Sequence, residues 1–328
     1  RQGHSGSMAA RSRLLSLIWN YGLFYIGPSL IAFLLFSFSG VRAYHSATLA
    51  MAAISTGGFL PFNASLDQVL GPFGLFCFAA FLILGATSVF WHRMVLRLQI
   101  ARLREHRESY SVIILALILG FSFALTITAV SGGAPEIAGY ALIEGFMNGA
   151  SLVATSGVES RPGIFTLFPL PLILFVVLLG GSAFSTSGGL KHYRVGAMIV
   201  QSWSELDRLV YPSAVRPSRF GTQRFDLQLM KAIWSFFVIS IFTIAGGTIV
   251  VATAGIPFEA ALTATVSSFA TAGPVYNSGW AVPGTDAWPA YGDFADSGKW
   301  ALMVVMLLGR LEVLAVIGLF STHYWRNR

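Results

Sequence analysis

The stretch Ala154-Thr155-Ser156-Gly157-Val158 ends an apolar segment, Glu136–Ala154, and its spelling recurs twice in the chain. Thr56-Gly57-Gly58-Phe59 follows the segment Tyr44–Ser55, and Thr271-Ala272-Gly273-Pro274 follows Pro257–Ala270. Each cluster reads Thr-small-Gly-apolar, and the residue before it (Ser55, Ala154, Ala270) is small as well. Gly58, Gly157 and Gly273 stand 99 and 116 residues apart, so the pattern marks three copies of one unit. The units are 1–107, 108–207 and 208–328.

Outward from each cluster lie stretches without Asp, Glu, Lys or Arg: Leu14–Val41, Gln68–Trp91, Ser109–Pro135, Pro162–Leu190 and Ala232–Phe258. Each exceeds the ~20 residues that cross a ~30 Å hydrocarbon core. Trp300–Trp325 is as apolar except for Arg310 and Glu312. Only 11% of the 328 residues are charged, 55% are hydrophobic, and the mean hydropathy is +0.69. Soluble domains carry about a quarter charged residues, so an ordinary cytosolic globule is excluded. The sequence predicts an all-α integral membrane protein of six spans.

The few charges sort by side. Arg1, Arg11 and Arg13, then Arg93, Arg97, Arg102, Arg104 and Arg107, then Lys191, Arg194, Arg208, Arg216, Arg219, Arg224 and Lys231, and finally Arg326 and Arg328 occupy alternate segments between spans. By the positive-inside rule these segments and both termini are cytoplasmic. The opposite loops hold Asp67, Glu159, Asp286, Asp293 and Asp296 against Arg42, Arg161 and Lys299. This arrangement accounts for the net charge of +7 without invoking nucleic acid as a partner. The single cysteine, Cys77, lies within a span, so neither an intrachain disulfide nor a thiol metal site can form.

The three half-helices before the Thr-x-Gly clusters cannot be further spans without moving a basic loop to the wrong side. They are expected to enter the membrane and turn back as re-entrant pore helices, with the clusters at membrane depth. Non-helical backbone is tolerated there only when buried in protein or lining a wet cavity. An ion filter meets that condition, because its extended turn offers carbonyls in place of a cation's hydration shell. The expected coordinating positions are Thr56, Gly57 and Gly58; Thr155, Ser156 and Gly157; and Thr271, Ala272 and Gly273. Glycine suits close approach of backbone to an ion, and the helix C-termini present partial negative charge to it.

Further stretches carry a family resemblance. They are the serine- and glycine-rich run Gly180-Gly181-Ser182-Ala183-Phe184-Ser185-Thr186-Ser187-Gly188-Gly189-Leu190-Lys191-His192-Tyr193-Arg194, the link Glu205-Leu206-Asp207-Arg208-Leu209-Val210-Tyr211-Pro212, and Met306-Leu307-Leu308-Gly309-Arg310-Leu311-Glu312. With the three clusters they resemble the Trk/Ktr/HKT superfamily of potassium uptake proteins, most closely the bacterial TrkH-type membrane subunit. The resemblance implies potassium as the transported ion, held at Gly58, Gly157 and Gly273, with no cofactor in this chain and no enzyme activity. It implies a multi-pass protein of the bacterial inner membrane, a homodimer, and a cytosolic TrkA-type nucleotide-binding regulatory subunit. No Gly-x-Gly-x-x-Gly fingerprint occurs in this chain, so nucleotide binding would belong to that partner.

The resemblance also implies a gate formed by Gly180, Gly181, Ser185, Thr186, Ser187, Gly188, Gly189 and Lys191, together with Arg310 below the filter. Two readings of the Gly/Ser run stand: close helix packing through small residues, or a helix broken into a loop across the pore. Arg310 is either an electrostatic barrier to cations or half of a structural ion pair. Glu312, two residues on, points to another helix face.

Departures from the family pattern are specific. The family has four repeats and this chain matches the last three, which predicts a further N-terminal repeat; the alternative is a shortened paralogue whose pore another chain closes. Thr271-Ala272-Gly273-Pro274-Val275 stands where Asn-x-Gly-Pro-Gly is usual, and Phe184 where glycine is usual. A non-conducting or sodium-permeable relative is therefore the competing function. An intramembrane protease is disfavoured, because His45, His92, His106, His192 and His323 lie at span ends or in loops and no aspartate pair lies at membrane depth. A two-halved secondary transporter does not fit three repeats.

Overall fold

The computed structural model describes residues 25–99, 106–132, 135–210, 227–281 and 287–311, with Gly22, Leu103 and the pairs 219–220 and 223–224 besides. The first half of the first expected span, most of the sixth beyond Arg310, and Arg1, Arg11, Arg13, Arg102, Arg104, Arg216, Asp286, Glu312, Arg326 and Arg328 lie outside the described residues.

The described architecture is helical apart from one two-residue antiparallel ladder that pairs Arg219–Phe220 with Gln223–Arg224. In chain order the helices are α1 (Tyr25–Phe38), α2 (Ala43–Ser55), α3 (Leu66–Ala86), α4 (Val89–Leu96), α5 (Arg107–Val130), α6 (Pro135–Val153), α7 (Leu170–Leu179), α8 (His192–Val210), α9 (Leu227–Thr253), α10 (Phe258–Phe269) and α11 (Asp296–Arg310). Among the described residues, three helices are long and apolar enough to cross a membrane: Leu66–Ala86, Arg107–Val130 and Gln228–Thr253. They coincide with the second, third and fifth expected spans. The half-helices expected at Tyr44–Ser55, Glu136–Ala154 and Pro257–Ala270 are α2, α6 and α10, each within a residue of its expected ends.

Two expected spans are interrupted, each for a local reason. Helix α3 bends at Gly71 (φ 61°, ψ −178°), because the ring of Pro72 excludes the residue before it from helical geometry. It ends at Thr87, whose hydroxyl bonds back to the carbonyls of Ile83 and Leu84, and the chain resumes as α4. The expected fourth span, Pro162–Leu190, corrects to ten helical residues. Leu170–Leu179 stops at Gly180 (φ 66°), and residues 180–191 run as a non-helical loop before α8 begins. Of the two readings of the Gly/Ser run, the geometry is that of a broken helix.

Helices α5 and α6 approach closely through small residues. A methyl group placed on Gly149 would meet the Gly120 nitrogen at 2.5 Å and the Ala116 carbonyl at 2.7 Å, and one on Gly120 would meet the Phe146 Cα at 2.9 Å. Gly145-x-x-x-Gly149 thus acts as a small-residue packing face. The main core joins α1, α2, α3, α5, α6 and α7, with Phe36, Phe78, Phe123 and Phe165 fully buried, and takes in Ala270, Ala272 and Val275 beside the third Thr-x-Gly cluster. A second core around Val251, Ala264, Tyr276, Phe294 and Leu302 binds α9, α10 and α11 together.

Candidate functional site: three threonine-glycine turns over a loop

Helices α2, α6 and α10 all end in the same way. The next residues with left-handed backbone are Thr56 (φ 53°), Thr155 (φ 57°) and Thr271 (φ 57°). Left-handed geometry costs an L-residue roughly 1–2 kcal/mol, and β-branched threonine is an unusual choice for it. The repeated conformation turns the chain sharply off the helix. Each turn keeps bonds to the helix end: Gly57 N–H donates to the Ala52 carbonyl (3.0 Å), Ser156 N–H to Ser151 (3.0 Å) and Ala272 N–H to Ser267 (2.7 Å).

Beyond the threonines the copies diverge. Gly58 (φ 72°) and Gly157 (φ 71°) also have positive φ, whereas Gly273 starts a 3₁₀ turn, Gly273–Val275, with Pro274. The three turns adjoin. A methyl group on Gly58 would collide with the Ser156 carbonyl, and one on Gly157 would meet the Ala272 carbonyl at 2.9 Å and the Val275 nitrogen at 3.0 Å. One on Gly273 would meet nothing within 4 Å. Thr56, Thr155, Ser156 and Ala272 are buried, and the Ser156 hydroxyl has no hydrogen-bond partner among the described residues. The middle turn therefore lies between the other two, and the backbone at its glycine has no room for a side chain.

The 180–191 loop lies against these turns through specific bonds. Gly188 N–H donates to Thr155 Oγ1 (2.7 Å). Thr186 Oγ1 donates to the carbonyls of Ile54 (2.9 Å) and Gly85 (3.0 Å) and lies 3.4 Å from Thr56 Oγ1. A methyl group on Gly188 would meet Thr271 Oγ1 at 2.6 Å. The loop thus reaches all three threonines. Arg310 Nη1 donates to the Thr186 carbonyl (2.5 Å), which links α11 to the loop tip. Within the loop, Ser185 Oγ donates to the Ser182 carbonyl (2.5 Å), Ser187 Oγ accepts from Gly181 N–H (3.1 Å), and Lys191 Nζ donates to the Ser187 carbonyl. Gly180, Gly189 (φ 76°), Phe184 (φ 57°) and Lys191 (φ 73°) all have positive φ. At Phe184, where the resemblance led to an expectation of glycine, the backbone is left-handed, a conformation glycine adopts at less cost.

Sequence reading did not find the groups that brace the turns. Behind the middle turn, Arg161 grips Glu144 with Nε on Oε1 (2.5 Å) and Nη2 on Oε2 (2.6 Å). Asn148 and Ser160 join them. Glu144 inside the half-helix Glu136–Ala154, four residues before Asn148, was the available signal. In the loop after that turn, Glu159 accepts the Phe165 and Gly163 N–H groups (2.7 and 2.8 Å), and burial holds its carboxyl above the usual carboxylate range against the pull of those bonds. The third turn is braced by aromatic rings: Tyr291 Oη donates to the Gly273 carbonyl (3.2 Å) and Trp280 Nε1 to the Val275 carbonyl (2.9 Å). Between the first and third turns opens a cavity of about 870 Å³ lined by Thr56, Phe59, Gly273, Tyr291, Met306 and Arg310, among others.

A family model described as TrkH, cation transport protein, matches residues 137–326. The chain belongs to that family. The match takes in the middle and third turns, the loop and Arg310, and the first turn lies before it. The chain is 29% identical over 309 residues to the Trk system potassium uptake protein TrkI of Halomonas elongata, covering 92% of this chain and 60% of the relative. It is 25% identical over 322 residues to TrkH of Escherichia coli strain K12, covering 97% of this chain and 64% of the relative. Its fold is similar to that of the crystal structure of the potassium transporter TrkH from Vibrio parahaemolyticus, with a TM-score of 0.79 at 22% identity over 97% of this chain and 65% of that one. The chain thus spans a little under two thirds of the relatives it matches.

Proposed function

We propose that this chain moves potassium inward across the cytoplasmic membrane of a bacterium, through a path lined by the backbone carbonyls of Thr56–Gly58, Thr155–Gly157 and Thr271–Gly273. The observation that carries this reading is the meeting of three helix ends, each turned by a left-handed threonine, with Gly58 packed against the Ser156 carbonyl and Gly157 against that of Ala272. Carbonyls so gathered replace a cation's hydration shell, and those of Gly58 and Gly157 are the chief ligands in this reading; the Gly273 carbonyl, expected as a third, accepts from Tyr291 Oη and the Tyr276 N–H. The names of the TrkI and TrkH relatives, which are potassium uptake proteins, support the choice of ion.

In the same reading each repeat is a span, a re-entrant pore helix, a filter turn and a span, with both termini cytoplasmic. The 180–191 loop is the gate: Thr186 and Gly188 bond it to the filter bases when closed, and the Arg310 charge adds a barrier to cations beneath them. Lys191, bonded to the Ser187 carbonyl, holds the loop's return limb. The basic cytoplasmic segments serve a homodimer that takes a TrkA-type regulatory subunit.

The wide cavity between the first and third turns favours a second reading, in which another polypeptide element lines that side of the path before ions pass. Potassium-limited growth of a strain lacking its own uptake systems tests both. Rescue by this chain alone supports a self-sufficient path, and rescue only with a co-expressed span–filter–span unit supports the second. No rescue in either case counts against potassium uptake.

A further inference from the structure

We propose that Glu144, Asn148, Ser160 and Arg161 are positioning residues that clamp the middle filter turn in its ion-discriminating geometry; this rests on the reading of Thr155–Gly157 as an ion-coordinating turn. The four residues reach across the turn from α6, which precedes it, to the irregular segment that leaves it. Asn148 Nδ2 donates to Ser160 Oγ (2.8 Å), Asn148 Oδ1 accepts the Ser160 N–H (3.1 Å), and Ser160 Oγ donates to Glu144 Oε1 (2.8 Å). Arg161 closes the far side through its two bonds to the same carboxylate. Glu144, Asn148 and Ser160 are completely enclosed, whereas the Arg161 side chain is 45% exposed.

A buried carboxylate is costly and is tolerated here because the guanidinium fork and a hydroxyl satisfy it. Buried ion pairs add little net stability compared with apolar residues of the same shape, so geometry is the better account of this one. Ions are told apart by where carbonyls stand, and sites of this kind depend on supporting bonds that hold them to within a fraction of an ångström. The clamp also reaches the neighbouring units. The Ser160 carbonyl accepts the Asp67 N–H (3.1 Å) at the start of α3, and Glu159 beside it accepts from Asn277 Nδ2 (3.5 Å) after the third turn. Both contacts fall outside Thr56–Gly58 and Thr271–Gly273, so a shift of Ser160 is felt chiefly at the middle turn.

The test compares Arg161→Gln, Arg161→Lys and the double variant E144Q/R161Q with the unmodified protein, in liposomes, by rubidium uptake with and without competing sodium. Hydrogen–deuterium exchange is followed on the same samples over residues 155–162, with 56–62 and 271–277 as internal references. The double variant keeps the shape without a buried unpaired charge, so it remains informative if Arg161→Gln does not fold. The clamp predicts faster exchange confined mainly to 155–162 and a rubidium-over-sodium preference about tenfold lower in the double variant, one strong hydrogen bond's worth of positioning. Arg161→Lys, which keeps the charge, should fall between the two. Unchanged exchange at 155–162, or faster exchange with an unaltered ion preference, would overturn the proposal. If the unmodified protein carries no rubidium, the ion-path reading fails instead, and exchange over 155–162 alone decides whether the clamp holds the turn.

Discussion

The middle and third turns share the spelling Thr-x-Gly yet are held by unlike means. The middle turn has a positive-φ glycine packed against its neighbour's backbone and an ionic brace behind it. The third has a glycine in a 3₁₀ turn with open space around it, and tyrosine and tryptophan donors on its carbonyls. A shared motif therefore does not imply a shared tolerance. A backbone fixed by close contact and charge has one conformation available, whereas one fixed by long aromatic side chains can adjust.

The largest consequence concerns alanine at the two glycines. Gly157→Ala places a side chain on a left-handed residue and within 3 Å of two backbone groups, so rubidium uptake should drop about a hundredfold, the equivalent of roughly 3 kcal/mol. Gly273→Ala meets nothing within 4 Å and should keep uptake within about threefold, under 1 kcal/mol. Equal losses at both positions would mean that the two turns are equivalent after all.

Next in size is the brace of the third turn. Tyr291→Phe removes the donor to the Gly273 carbonyl and should cost about 1 kcal/mol, read as a fall of a few degrees in thermal unfolding of the detergent-solubilised protein. Tyr276→Phe, which loses only a bond to the Pro289 carbonyl, should alter ion preference less than Tyr291→Phe does.

The loop beneath the turns supplies a comparison of comparable size. Phe184 has φ 57° and packs its ring edge-on to Phe90, with centroids 5.1 Å apart. Phe184→Ala loses the ring and keeps the strained backbone, whereas Phe184→Gly loses the ring and relieves the strain. The glycine variant should be the more stable of the two by about 1 kcal/mol, reversing the usual order of alanine and glycine. Thermal unfolding of the pair measures this.

The smallest effect lies in Glu159. A carboxyl whose ionisation is held above its ordinary value of 4.5 by burial favours the folded state most fully below that pH. The contribution is lost as pH rises through the raised value. Glu159→Gln should therefore flatten the fall in stability above pH 4.5 that the unmodified protein shows over the same range. An unchanged slope would place the pH dependence elsewhere.

The parts of this architecture that follow local rules were legible in the sequence. The half-helices α2, α6 and α10 lie where the apolar segments and the Thr-x-Gly clusters that end them put them, and the charge-free runs located α3, α5 and α9. The glycines paired at both ends of 180–189 left close packing and a broken helix both open, and the positive φ of Gly180 and Gly189 goes with the broken helix. What local rules do not carry was not legible. Threonine is a poor left-handed former, so nothing in its identity announced φ near 55° at Thr56, Thr155 and Thr271. The Glu144–Arg161 pair joins residues on opposite sides of a turn, and only the fold reveals that they meet. Gly273 was grouped with Gly58 and Gly157 by spelling, although Pro274 gives its turn a different backbone.

The measurement closest to the central claim is rubidium uptake into liposomes holding the purified protein, driven by an inside-negative potential, with Gly157→Ala alongside. The account predicts uptake by the unmodified protein that excess potassium suppresses far better than excess sodium, and almost none by the variant. Absence of uptake by the unmodified protein, or uptake that Gly157→Ala leaves unchanged, would contradict it.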